Sequence, residues 1–137
     1  MFVDASAIIS VLSGEEDAPL LALALERADK VLVSPIAVYE AVAGLARKRE
    51  CPIVEAKAMV DLFVSETGAK MVEIGKPVGD LALEAFARFG KGRHRADLNM
   101  GDCFAYACAR ANSVPLLFKG NDFIHTDIEQ VQLQQNP

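Results

Sequence analysis

"GDCFAYACARANSVPLLFKGND", residues 101–122, decides how this chain folds. Its first half, from Gly101 to Asn112, is rich in Ala, Cys and aromatic residues and reads as a buried helix whose small side chains let it pack closely on a sheet. "PLLFKG" then reads as a strand. Asp102 stands at the entrance of that helix with no cation nearby, and a carboxylate in such surroundings needs a reason.

The rest of the chain repeats the alternation. "MFVD" reads as a strand followed by a helix from about Ala5 to Leu12, closed by "SGEED". "APLLALALERA" is a second helix and "VLVS" a second strand. Ser34 is a natural N-cap and Pro35 fits the first helical position of a helix that runs to about Arg49. "CPIVEAKAMVDLFVSE" is helical, "KMVEI" reads as a strand, and "PVGDLALEAFARF" is helical with Pro77 at its start. Strands alternating with helices predict an α/β fold, a mainly parallel β-sheet flanked by helices. At 137 residues, the chain is read as a single domain, 1–137.

Composition narrows the function classes. Hydrophobic residues make up 52% and charged residues 24%, which excludes a disordered or fibrous chain. No apolar run approaches the roughly 18 residues of a spanning helix, and "MFVDASAII" lacks the basic start of a signal peptide, so no membrane role and a cytoplasmic location are expected. Cys51, Cys103 and Cys108 form no C-x-x-C pair and are odd in number, which argues against a disulfide framework or a zinc site and for small core residues. The net charge of -5 disfavours nucleic-acid binding unless a local basic patch overcomes it.

Four carboxylates stand in apolar surroundings. Asp4 is the only charged residue before Glu15 and follows the first strand, where its plain reading is a helix N-cap. Glu40 is the only charged residue between Ser34 and Ala46. It lies opposite the face lined by Val38, Ala41, Val42 and Leu45, and reads as facing a pocket or as pairing with Arg47. If Asn99 caps its helix, Asp102 falls at the third position, beside the free amides and the positive end of the helix dipole. Asp122 follows "PLLFKG", where its plain reading is a turn residue. In open parallel sheets, sites lie at the carboxyl ends of the strands. Together, these four fit one acidic site at one edge of the sheet.

Clustered carboxylates repel one another, and desolvation raises their pKa values unless a cation neutralises them. Oxygen-only ligands suit Mg²⁺ or Mn²⁺ rather than zinc. Such an ion lowers the pKa of bound water and stabilises charge on a phosphoryl group, so phosphodiester hydrolysis is the reaction class this chemistry serves. Positive charge for the substrate comes from "GKGRHRADLN", residues 90–99, where Lys91, Arg93, His94 and Arg95 form a glycine-bearing basic loop suited to a nucleic-acid backbone; Arg88 lies just before it. Lys48 and Arg49 read as solvated surface.

These residues resemble the PIN-domain ribonuclease toxins of VapBC toxin–antitoxin modules. "MFVDASAII" is similar to the family's opening strand, with Asp4 in the place of its first catalytic aspartate. Glu40 in "SPIAVYEAV" matches the glutamate on the helix after the second strand. The block from Gly90 to Ile128 is similar to one branch of these toxins and places Asp102 and Asp122 on its aspartates. The resemblance implies a PIN-like fold and a Mg²⁺- or Mn²⁺-dependent endoribonuclease acting on transfer RNA or other structured RNA. It also implies inhibition by a cognate VapB-type antitoxin, and homodimers are usual in the family. Asp4 and Asp102 are assigned as primary metal ligands, with Glu40 and Asp122 completing the acidic set, directly or through water. Asp97 is given no ligand role, and Asn121 stands where the family is frequently acidic. Two other readings remain: a phospho-receiver, against which the single Asp in "MFVDASA" and Gly120 after Lys119 both count, and a PIN-like scaffold that binds RNA or a partner without cutting.

Overall fold

In the computed structural model, which describes residues 1–133, four short strands pair in parallel in the order β3-β2-β1-β4. They are β1 (Phe2–Val3), β2 (Leu32–Val33), β3 (Lys70–Met71) and β4 (Leu116–Leu117). Phe2 lies opposite both Leu32 and Leu116, and Leu32 opposite Lys70. Between them run α1 (Ala5–Ser13), α2 (Ala18–Arg27), α3 (Pro35–Arg49), α4 (Ile53–Thr67), α5 (Lys76–Phe89) and α6 (Met100–Ala111). The parallel α/β expectation holds.

Successive strand residues point to opposite faces of the sheet. Phe2, Leu32 and Leu116 join α5 and α6 in one core, whereas Val3, Val33 and Leu117 join α1, α2 and α4 in the other. With both faces covered, β1, β2 and β4 are apolar throughout instead of alternating with polar residues. Ala105, Ala107, Cys108 and Ala109 are buried along α6, so its small side chains do bring it close to the sheet. Burial pushes the thiols of Cys103 and Cys108 up to about 11, which leaves them inert core residues.

Each expected strand is shorter than the sequence suggests. Of "KMVEI" only Lys70–Met71 is strand, and both residues are exposed, because β3 is an edge with a partner on one side alone. Beyond β4, the segment around Gln130 pairs in parallel with Leu116, which extends the sheet past its last strand. Among the described residues, no helix is long and apolar enough to cross a membrane.

The strand order fixes where a site can form. The chain steps outward from β1 through β2 to β3, then returns to place β4 on the other side of β1. The direction of winding therefore reverses between β1 and β4, and the crevice beyond their carboxyl ends is where such sheets hold ligands.

Candidate active site

Asp4 leaves β1 at that crevice. Its backbone N–H donates to the Leu117 carbonyl at 2.9 Å, which fixes it against the end of β4. Its side chain is the N-cap of α1, as the sequence suggests: Oδ2 accepts from the Ser6 backbone N–H at 3.0 Å and from the Ser6 hydroxyl at 2.5 Å. Asp4 is only 4% exposed. Burial pushes its carboxyl above the usual range, the Ser6 bonds offset part of that, and the charge of Asp122 adds to the rise.

Asp102 enters from α6. Asn99 caps the helix through a reciprocal pair: the Asp102 backbone N–H donates to Asn99 Oδ1 at 2.9 Å, and the Asn99 backbone N–H donates to Asp102 Oδ2 at 3.1 Å. That bond uses one carboxylate oxygen. Burial pushes the Asp102 carboxyl up to about 7, against the Asn99 bond and with the charges of Asp4, Asp122 and Glu40. A surface helix cap has no reason for so large a shift.

Glu40 arrives from α3, where Ser34 caps the helix by accepting from the Ala37 N–H at 3.1 Å. Its half-buried carboxylate lies against Gly101, so closely that a Cβ on residue 101 would overlap both carboxylate oxygens. Burial and the charge of Asp4 push its pKa up. Of the two readings open in the sequence, the structure supports the one without Arg47: that residue is exposed, and no ion pair among the described residues involves Glu40. Asp122 is exposed before the 3₁₀ turn Phe123–His125 and makes no capping bond there, while its charge is felt at both Asp4 and Asp102.

Four carboxylates from four separate segments are thus coupled at the switch point. The ion pairs among the described residues lie elsewhere: Lys48 and Lys119 with Glu15, Lys57 with Asp61, Lys76 with Asp80, and Arg88 and Arg110 with Asp127. Among the described residues, no three carboxylates already stand as a closed metal-holding group.

The chain from Lys91 to Asn99 is a tight loop closed by a bridge between Gly90 and Leu98. Lys91, Arg93 and Arg95 reach its surface. The Arg93 guanidinium stands over the Phe86 ring at 5.3 Å. His94 is used differently: Nδ1 accepts from the Ala96 N–H at 3.0 Å and its ring meets Phe89 edge-on, so it braces the loop. Arg88 is drawn away to Asp127, 3.0 Å distant.

The family model of the PIN domain matches residues 1–129. The chain belongs to the PIN-domain family. Within it, this PIN domain is 42% identical to a VapC ribonuclease of Rhizobium meliloti, over 93% of the chain and 98% of that protein. It is 39% identical to ribonuclease VapC30 of Mycobacterium tuberculosis, over 97% and 99% respectively. Its fold is similar to the crystal structure of Mycobacterium tuberculosis VapC20, described as a sarcin-ricin loop cleaving toxin, with a TM-score of 0.76 at 16% identity over 96% of this chain and 98% of that one. The resemblance read from the sequence is borne out, and the receiver alternative falls.

Two residues of this PIN domain's crevice escape the sequence reading. Ser6 holds Asp4, and its signal is the Asp-x-Ser spacing, in which a hydroxyl two residues after a carboxylate can fold back on it. Gly101 makes room for Glu40, and no single-sequence signal announces a space filled from another helix.

Proposed function

We propose that this chain is the toxin of a type II toxin–antitoxin module, a Mg²⁺-dependent endoribonuclease of one PIN domain over residues 1–137 that cuts transfer RNA or another structured RNA. The observation that carries the reading is the convergence of Asp4, Glu40, Asp102 and Asp122 at the switch point between β1 and β4, with no protein cation paired to them among the described residues. The VapC ribonucleases to which the chain is similar support it.

The donor set fits a hard divalent cation: every donor is oxygen, and burial and mutual repulsion have raised three of the four carboxyls in a way that an ion would relieve. Asp4 and Asp102 would hold Mg²⁺ or Mn²⁺, with Glu40 and Asp122 completing the set or orienting water. When bound, the ion supplies a water of lowered pKa and neutralises charge on the phosphoryl group. The protein's own part is preparation. Ser6 and the Leu117 carbonyl fix Asp4, the Asn99 cap aims Asp102, and a carboxyl at about 7 sheds its proton near neutrality. Lys91, Arg93 and Arg95 supply positive charge for the RNA backbone. A VapB-type antitoxin as inhibitor, a homodimeric assembly and a cytoplasmic location belong to the same reading.

The second reading, a PIN-like scaffold that binds without cutting, draws on the absence of a closed three-carboxylate group among the described residues. Incubating the purified protein with a total transfer-RNA pool separates the two. Discrete fragments with Mg²⁺ that vanish with EDTA support the nuclease, whereas retained RNA without fragments supports the scaffold.

A further inference from the structure

Gly101 occupies the second position of α6, and its φ is not in the left-handed region that favours glycine. Glycine inside a helix is disfavoured relative to alanine, so backbone conformation gives no reason for it. Space does. A Cβ there would overlap the two oxygens and Cδ of Glu40, the end of a flexible side chain from α3. Two other glycines show the contrast: a Cβ on Gly90 would strike the Phe86 carbonyl oxygen, which is backbone, and one on Gly44 would press into the packed Ile9 side chain.

We propose that Gly101 is a positioning residue of the acidic site: its missing side chain is the space in which the Glu40 carboxylate stands beside Asp102. The inference rests on the reading that Glu40 belongs to the metal-holding set. A methyl group at residue 101 meets the mobile end of Glu40 and not a rigid wall, so Glu40 swings out of the site while α6 stays intact. Alanine has the higher helix propensity, so the domain loses no stability. Function and stability then move in opposite directions, which a purely structural glycine would not produce.

The test compares wild type, Gly101→Ala, Glu40→Gln and the double variant in metal-free buffer, by thermal melting and by calorimetric titration with Mn²⁺ alone. Gly101→Ala is expected to melt at or above the wild-type temperature and to bind Mn²⁺ about tenfold more weakly, as when a ligand loses its orientation. Glu40→Gln should weaken binding to a similar degree, and the double variant should be no weaker than either single one. Glu40→Asp, whose shorter side chain clears the added methyl, should recover part of the loss in the Gly101→Ala background. Weakened binding in Glu40→Gln beside unchanged binding in Gly101→Ala overturns the role of Gly101 alone. A Gly101→Ala protein that melts well below wild type, with losses that add to those of Glu40→Gln, also overturns it. Unchanged Mn²⁺ binding in Glu40→Gln removes Glu40 from the metal set and the positioning role with it.

Discussion

The backbone N–H of Lys119 donates to the hydroxyl of Ser6 at 3.0 Å, joining residues 113 positions apart. The same hydroxyl donates to Asp4, so one oxygen links the first carboxylate to the segment that leads to Asp122. Ser6→Ala removes both bonds and leaves Asp4 with only backbone donors. It is expected to destabilise the protein by about 1–3 kcal/mol, the usual cost of orphaning groups of this kind, and to slow RNA cleavage. Melting and initial rates measured on the same preparation check both. Wild-type activity in Ser6→Ala would show that Asp4 needs no such support.

The carboxyl of Asp102 gives the apo protein a definite pH signature. Its folded-state value is raised from 3.8 to about 7, so folding favours the protonated form. Its contribution to stability is therefore fully present below about pH 4 and is lost as pH rises through about 7. Asp4 and Glu40 are shifted in the same direction. In metal-free buffer, the melting temperature should fall across this window more steeply for wild type than for Asp102→Asn. Stabilisation by added Mg²⁺ should grow over the same range, because protons and metal compete for the carboxylates. Parallel melting curves for the two proteins would remove Asp102 as the source.

Much of this arrangement is legible in the sequence because it rests on local chemistry. Ser34, Pro35 and Asn99 mark helix starts through hydrogen bonds made within a few residues, and the structure places them there. Asp4 and Asp102 stand out as charges in apolar runs. The contact of Glu40 with Gly101 and the pairing of Arg88 with Asp127 depend on which helices meet, and a sequence does not encode that locally. The pairing of Gln130 beside Leu116 was hidden likewise, since a single bridge depends on which segments meet.

The basic loop makes a prediction about affinity. Arg93 projects at the surface over Phe86 and makes no ion pair among the described residues, so its charge is available to a phosphate. Arg93→Ala should weaken RNA binding severalfold at low salt and lower the salt slope of the binding constant by about one unit. Filter binding over a salt series checks this, and an unchanged slope would take Arg93 out of the interface.

Tyr106 serves as the counter-case. Its side chain is buried, and its hydroxyl donates to Asp127 at 2.5 Å while accepting from Arg110 at 3.0 Å. This network ties the segment after the 3₁₀ turn to α6 and does not include the four carboxylates. Tyr106→Phe should cost about 1 kcal/mol of stability and leave the rate of RNA cleavage unchanged below the melting range. A specific loss of rate would extend the site to this network.

On the proposed reading, the coupled carboxylates make a metal-dependent nuclease. The most direct measurement is the rate of transfer-RNA cleavage by Asp4→Asn and Asp102→Asn beside wild type, with Mg²⁺ or EDTA present and folding confirmed by melting. Discrete fragments are expected from wild type with Mg²⁺ and none with EDTA. Each variant should be folded and at least about a hundredfold slower, the upper end of what loss of an outer-shell metal partner costs. Wild-type rates in both variants, or cleavage that persists in EDTA, would contradict that reading.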